Sequence, residues 1–137
     1  MTKRFELIDD LTSDVLFVAY GNTLSELFEN AAVALFSIIC DIKKVKPVKE
    51  LKLELYADNS EELLYDWLSA LLAESEIREM FFSEFDADTD GKHLKAVVKG
   101  MSANPKLGNV QVKAITMYRF GIEKLHNKYK ATVSCDI

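Results

Sequence analysis

Two stretches of the chain place apolar residues at helical spacing. The first follows TLSE, where Thr23 is predicted to cap a helix and Glu26 to reach back, forming a capping box. The second follows NSEELL, where Asn59 or Ser60 is the predicted cap. In both stretches apolar residues recur every three or four positions, which predicts one face of a helix packed on a core. The apolar positions are Leu24, Leu27, Phe28, Ala31, Ala32, Leu35, Phe36 and Ile39 in the first helix, and Leu63, Leu64, Trp67, Leu68, Leu71 and Leu72 in the second.

The remaining segments alternate between apolar and polar residues with a period of two, as half-buried strands do. In KELKLEL the leucines point one way and the charged residues the other, whereas DVLFVAYG is apolar throughout and is predicted to be a central strand. Further predicted strands are FFSEFDAD, HLKAVVKG, NVQVKAITMY and YKATVSCDI. The pattern therefore predicts an α+β fold with a single domain over residues 1–137. Two amphipathic helices would pack on a largely antiparallel sheet of about seven strands.

The segment DADTDG, from Asp86 to Gly91, resembles the first half of an EF-hand calcium loop. That loop needs a bidentate glutamate at its twelfth position and a helix on either side. Here the twelfth residue is Val97, and both flanks alternate as strands do. Asp90-Gly91 between two strands instead predicts a hairpin with a type I′ turn. The aspartates would then keep the hairpin tip solvated.

Composition and charge limit the class of protein. A chain of 137 residues with 49% apolar and 28% charged residues is typical of one globular domain. The net charge of −5 argues against direct, stable nucleic-acid binding, because such domains usually carry a basic face. The largest lysine cluster continues into KELKLEL and is interpreted as a solvated strand face; it comprises Lys43, Lys44, Lys46, Lys49 and Lys52.

The cysteine content and the start of the chain suggest a cytoplasmic protein. Cys40 and Cys135 have neither the spacing of a metal motif nor that of a disulfide framework. No segment has the pattern of a signal peptide, and no apolar run approaches the ~18 residues of a membrane span. A reduced protein of the cytoplasm, with no membrane partner, is the expected class.

Candidate chemistry is sparse and lies mainly at the two ends of the sequence. With only His93 and His126, no zinc site or Ser-His-Asp triad can be assembled, and no phosphate-binding glycine motif is present. Asp14 precedes the predicted central strand, and Asp136 stands next to the α-carboxylate of Ile137. Two carboxylates this close repel each other unless a cation lies between them. Carboxylate-based hydrolysis remains open at this stage, although nothing in the sequence pairs these acids for it.

Three segments of the chain resemble the archease family, in order and at the right separations. They are RFELIDDLTSDVLFVAYGNTLSELFENAAVALFSIICDI, then VKAITMY, and finally ATVSCDI. Archeases show an H-T-A-D-V segment, an aromatic-Gly-x-T-L-E-E helix start, a V-K-A-[VI]-T-Y-H strand and a chain end of D-[IV]. The resemblance covers nearly the whole chain and implies the same α+β fold.

The resemblance implies a non-enzymatic accessory protein. Archeases assist RtcB-type RNA ligases in tRNA splicing and RNA repair, promoting guanylylation of the ligase and its turnover. Family members hold a divalent cation, often calcium, at positions that correspond here to Asp14, Asp136 and the carboxylate of Ile137. Three carboxylates suit calcium, which prefers six to eight oxygen ligands. Lys113, the lysine of V-K-A, is expected either to contact the ligase or phosphate, or to be an ordinary exposed strand lysine.

The sequence departs from the family pattern at several positions. Leu11 and Ser13 replace the histidine and alanine of H-T-A-D, and Met117-Tyr118 replaces the Tyr-His pair. Because imidazoles favour transition metals, their loss leaves a site for a hard cation such as calcium. Two alternatives to ligase activation stay open: a general chaperone-like binding module with another partner, and a metal-dependent hydrolase.

Overall fold

The computed structural model describes residues 3–10 and 14–137. Within them, the chain forms seven β-strands, two α-helices and two short 3-10 helices, at Ile42–Lys44 and Pro105–Leu107. The predicted α+β class, with two helices and seven strands, is confirmed. In chain order the main elements are β1 (Phe5–Asp10), β2 (Asp14–Gly21), α1 (Leu24–Ile39), β3 (Lys49–Tyr56), α2 (Ser60–Arg78), β4 (Met80–Thr89), β5 (His93–Ser102), β6 (Ala114–Lys124) and β7 (Tyr129–Asp136).

The strands form two antiparallel sheets and not the single sheet that was predicted. One sheet has the order β1-β2-β7-β6 and the other has the order β3-β5-β4. Helix α1 packs against β2 of the first sheet and β4 of the second, so that one hydrophobic core joins both sheets. Alternation along a segment predicts that it is a strand, but it does not specify which strand lies beside it.

Both helices begin at the predicted caps, and both bury their predicted apolar faces. The Thr23 hydroxyl accepts the Glu26 N–H at 3.1 Å, while the Glu26 carboxylate accepts the N–H of Asn22, one residue before the cap. Asn59 caps α2 by accepting the Glu62 N–H at 2.9 Å. The apolar stripes of the two helices are buried, apart from a half-buried Leu24. The starts of the helices are therefore fixed by local sequence, and the helix orientations by the core.

The β4–β5 hairpin is confirmed, but its predicted turn type is wrong. Three residues, Asp90, Gly91 and Lys92, connect the strands, and of these only Gly91 has a positive φ, of 104°. A type I′ turn would need positive φ at both central residues. Instead the Asp90 carboxylate accepts the N–H groups of Lys92 and His93 at 2.9 and 3.0 Å and closes the turn itself. Asp86 and Asp88 are exposed on β4, so only Asp90 lies at the tip.

Strand β6 begins at Ala114, five residues later than the pattern predicted. The N–H groups of Asn109 and Val110 donate to the carbonyls of Ile39 and Ile38 at the end of α1, at 2.9 and 3.3 Å. The last carbonyls of a helix have no partner within it, and this segment supplies one. Capping of α1 therefore replaces strand pairing in the first part of the segment.

Candidate functional site

Asp14 and Asp136 lie directly opposite each other on neighbouring strands. Asp14 is the first residue of β2, Asp136 is the last residue of β7, and the two form the terminal pair of that antiparallel ladder. Directly opposed residues have their side chains on the same face, with Cβ atoms about 4.5–5.5 Å apart. Both residues are half-buried. Two acidic residues that are about 120 positions apart in the sequence thus lie side by side at one end of the central strands of the first sheet.

The end of the chain is anchored in the sheet. β7 lies between β2 and β6, so Asp136 has a neighbour on either side, Asp14 and Ala114. The main-chain carbonyl of Asp136 also accepts the N–H of Lys113 at 2.7 Å. Ile137 is half-buried and packs against the hydrophobic core. The backbone of Asp136 is therefore held on both sides, directly opposite Asp14.

The side chain of Lys113 is exposed, but the residue does not lie on a strand as expected. It precedes β6, and Val112 is buried while Ala114 is exposed. Strand alternation would put Val112 and Ala114 on one face, but it holds only within extended strands, and residues 111–113 are not part of one. The backbone N–H of Lys113 donates a hydrogen bond to β7 at Asp136, and the side chain of Lys113 is exposed to solvent.

The donor set at this site is made of oxygen atoms. Within residues 3–10 and 14–137, no three His, Cys, Asp or Glu side chains gather as a metal-binding group. The third acidic group that the sequence offers here is the α-carboxylate of Ile137, next to Asp136. Carboxylate oxygens suit hard cations such as Ca²⁺ and Mg²⁺. A cation between Asp14 and Asp136 would also remove the repulsion between two like charges that face each other across a ladder.

Four of the positions that depart from the family pattern are Leu11, Ser13, Met117 and Tyr118, and the structure describes two of them. Leu11 and Ser13 lie outside the described residues. Met117 and Tyr118 lie in a bulge of β6: Thr116 pairs with Ser134 and Gly121 with Thr132, so four residues of β6 face only Val133. Met117 is 65% and Tyr118 49% exposed. The bulge was not predicted, because nothing in the alternation of NVQVKAITMY indicates it.

Both cysteine thiols are buried and chemically protected. Cys40 donates a hydrogen bond to the Phe36 carbonyl at 3.2 Å, and Cys135 is fully buried beside the acidic pair. Burial raises the pKa of each thiol to about 12, with a smaller contribution from the charge of Asp41 at Cys40 and of Asp14 at Cys135. A thiol in such surroundings is almost entirely protonated near neutral pH, and the thiolate is the reactive form.

We therefore expect neither thiol to react with an aromatic disulfide reagent at pH 8 while the protein is folded. In urea the thiols become exposed, their pKa values return to about 8.5, and both should react. The absorbance of the released thiolate, followed with and without urea, measures this directly. Rapid reaction of the native protein would contradict the assigned burial.

No helix in the described part of the chain is long and apolar enough to cross a membrane.

Comparison with known proteins places the chain among small proteins of the same length. The model of the Archease protein family (MTH1598/TM1083) matches residues 5–137. Protein archease of Methanosarcina acetivorans is 37% identical over 142 residues, covering 98% of this chain and 97% of the relative. Protein archease of Sulfurisphaera tokodaii is 37% identical over 141 residues, covering 98% and 99%.

Two solved structures share the fold. Protein 1598 of Methanobacterium thermoautotrophicum superposes with a TM-score of 0.87 and 34% identity, covering 99% of this chain and 100% of that one. An archease from Thermotoga maritima, described as a possible chaperone, has a TM-score of 0.71 and 19% identity, which shows the fold alone. The family match over nearly the whole chain and the identity with its members agree with the motifs and the fold: this protein belongs to the archease family.

Proposed function

We propose that this protein activates an RtcB-type RNA ligase, promoting guanylylation and turnover of the ligase, and is not itself an enzyme. In this proposal a divalent cation, most simply calcium, is held by Asp14, Asp136 and the α-carboxylate of Ile137. Its main support is the direct pairing of Asp14 with Asp136 in a member of the archease family.

The geometry suits an ion that is bound by the carboxylates of this protein and remains accessible to the ligase. Calcium takes six to eight oxygen ligands at ~2.3–2.6 Å, so three carboxylates leave room for water or for a ligand from a partner. Asp14 and Asp136 are half-buried, and solvent or a partner can therefore reach the space beside them. The Asp136 carbonyl already accepts the Lys113 N–H, which fixes the backbone and leaves the carboxylate for the ion.

The nearest thiol does not offer an enzymatic alternative at this site. The Cys135 side chain is buried and the pKa of its thiol is raised to about 12, so it supplies no nucleophile near neutral pH. The exposed Lys113 ammonium group lies in a segment bonded to the same strand and is proposed to contact the ligase or a phosphate.

Guanylylation of a purified RtcB-type ligase, with limiting nucleotide, tests this proposal. The native protein should accelerate guanylylation, and Asp14→Asn with Asp136→Asn should remove most of the acceleration. Loss of supporting contacts alone costs roughly 10–100-fold in metal affinity, and loss of two ligands should cost at least as much. The matched control is Asp86→Asn with Asp88→Asn, which removes the same charge from exposed positions on β4. Equal activation by all three proteins would exclude the acidic pair from the mechanism.

A general chaperone-like module is the second candidate, favoured by one observation. The bulge exposes Met117 and Tyr118, two large apolar side chains, at an edge strand of the first sheet. If the protein leaves ligase guanylylation unchanged and instead suppresses aggregation of an unrelated protein, with Tyr118→Ser reducing that effect, this candidate replaces ligase activation.

A further inference from the structure

The charges of this acidic protein are unevenly distributed along the chain. Residues 113–130, here called the basic ribbon, carry five basic residues and one acidic residue, Glu123, and so have a net charge of +4. The rest of the chain holds 12 basic and 21 acidic residues, a net charge of −9. The basic residues of the ribbon are Lys113, Arg119, Lys124, Lys128 and Lys130. Although the overall charge is −5, the segment formed by β6, its bulge and the start of β7 is therefore cationic.

The bulge presents an arginine together with an exposed aromatic ring. The Arg119 guanidinium carbon lies 5.3 Å from the centroid of the Tyr118 ring. Arg119 has a φ of 54°, a left-handed conformation that is rare for a residue with a side chain. Backbone strain of this kind costs of order 1–3 kcal/mol and is found preferentially at binding sites. Here it accompanies a cation and a ring that are both exposed to solvent.

Two further cations of the basic ribbon lie over tyrosine rings at the hairpin between β6 and β7. The Lys128 ammonium nitrogen is 4.8 Å from the ring centroid of Tyr20, and that of Lys124 is 5.7 Å from the ring centroid of Tyr129. In the described part of the chain, all three cation–π pairs take their cation from this ribbon.

In the part of the chain that the structure describes, the cations of the basic ribbon are not held in salt bridges, although one carboxylate of α2 lies beside the ribbon: Glu61 accepts the Ile122 N–H at 2.9 Å. Glu123 faces Lys130 across the ladder without forming one, and the nearby Glu6 binds Lys3 at 2.8 Å. Cations that rest on aromatic rings without a counter-ion remain available for an anionic ligand.

We propose that the basic ribbon binds single-stranded nucleic acid. Proteins that bind single strands combine cations that follow the phosphates with aromatic rings on which bases stack. The ribbon supplies both, since Tyr118 is half-exposed and the cations extend from the bulge to the hairpin tip. Val133, opposite the bulge, lies five positions along the chain from Lys128, which is roughly 17 Å at about 3.3 Å per residue. That length accommodates several phosphates of one strand.

This inference is independent of ligase activation and is the opposite of the expectation drawn from net charge. Chain-wide charge argues against a nucleic-acid binder only when the charges are evenly spread over the surface. The lysines at positions 43–52 form the more obvious cluster in the sequence, but a count of charge by segment identifies residues 113–130. Because the surface is small, binding should be weak and strongly dependent on salt.

Fluorescence anisotropy of a labelled single-stranded oligouridylate, with this protein alone, tests the proposal. At about 50 mM salt the native protein should bind, with log K falling as log salt rises at a slope near −2 to −3. The triple variant Arg119→Gln, Lys124→Gln, Lys128→Gln should bind at least about tenfold more weakly and flatten the slope by about 2. Tyr118→Ala should weaken binding at least about fivefold, with little change of slope, because it removes stacking and no charge.

The matched control is Lys52→Gln, Lys95→Gln, Lys99→Gln, which removes the same charge from the second sheet. This variant should bind the oligonucleotide within about twofold of the native protein. Equal weakening by both triple variants would show that only overall charge matters and would overturn the proposal. So would the absence of binding with up to about 100 µM protein, or equal competition by duplex RNA or by anionic phospholipid vesicles.

Discussion

Calcium should raise the melting temperature of the native sequence, and Asp136→Asn should abolish that rise. A ligand that binds only the folded state stabilises it by RT ln(1 + [L]/Kd), or about 2.7 kcal/mol at a hundredfold excess over Kd. For a domain of this length that corresponds to roughly 10 °C. Asp14→Asn should act in the same way, since the two carboxylates are opposed on one ladder.

Without calcium, Asp136→Asn should leave the melting temperature unchanged or raise it slightly, whereas with calcium it should lower the melting temperature relative to the native protein. Two like charges directly opposite each other destabilise an antiparallel pair. Replacing Asp136 by asparagine removes that repulsion, so the calcium-free variant should melt at or slightly above the native protein. Differential scanning fluorimetry with calcium and with a chelator measures both effects on the same samples.

Asp88→Asn is the matched control for this measurement. Asp88 is exposed on β4 and pairs with Lys95, so its replacement should leave the calcium response unchanged. Adding a residue after Ile137 tests the third ligand, since it moves the α-carboxylate away from Asp136. If Asp136→Asn kept the full response and Asp88→Asn lost it, the ion would bind the DADTDG hairpin and the proposed site would be wrong.

Trp67→Ala should lower the free energy of unfolding by about 3–5 kcal/mol, the cost of removing a large buried aromatic side chain. Trp67 is fully buried in α2, and its indole N–H donates to the Phe28 carbonyl of α1 at 3.0 Å. Its ring also meets Phe85 edge-on, with centroids 6.4 Å apart. The substitution therefore removes contacts that connect both helices to the second sheet.

Urea unfolding with tryptophan-independent detection, by circular dichroism, measures this loss. Ile77→Ala is the control in the same helix: Ile77 is 76% exposed, and its truncation should change stability by less than about 0.5 kcal/mol. Trp67→Phe should fall between the two, because it keeps a ring in the core and loses the hydrogen bond. Similar costs for Trp67→Ala and Ile77→Ala would contradict the placement of α2.

Residues whose role is local were predictable from the sequence. Thr23 and Asn59 are caps because a short oxygen-bearing side chain can accept an N–H three residues ahead, whatever surrounds the helix. The stripe that contains Leu63 and Trp67 is buried because helical spacing puts those residues on one face. The β4–β5 hairpin followed from alternation on both sides of Asp90-Gly91.

The candidate site was only partly predictable. Asp14 and Asp136 were identified by resemblance to a family, and their direct opposition depends on the register of β2 with β7. Lys113 was expected on a strand, but its segment first caps α1 and then bonds to Asp136. The bulge with Tyr118 and Arg119 has no local signature, since four residues can face one only where the partner strand is fixed by the rest of the sheet.

The sequence by itself determined the helices, the approximate strands, the apolar positions and the family, because these depend on spacing and side-chain type within short segments. The tertiary structure decided that the strands divide into two sheets, that β6 begins late and bulges, and that Asp14 and Asp136 lie opposite each other. Strand partners and register arise from contacts between residues far apart in the chain. No local pattern encodes those contacts, because a strand presents the same alternation to every partner that could pair with it.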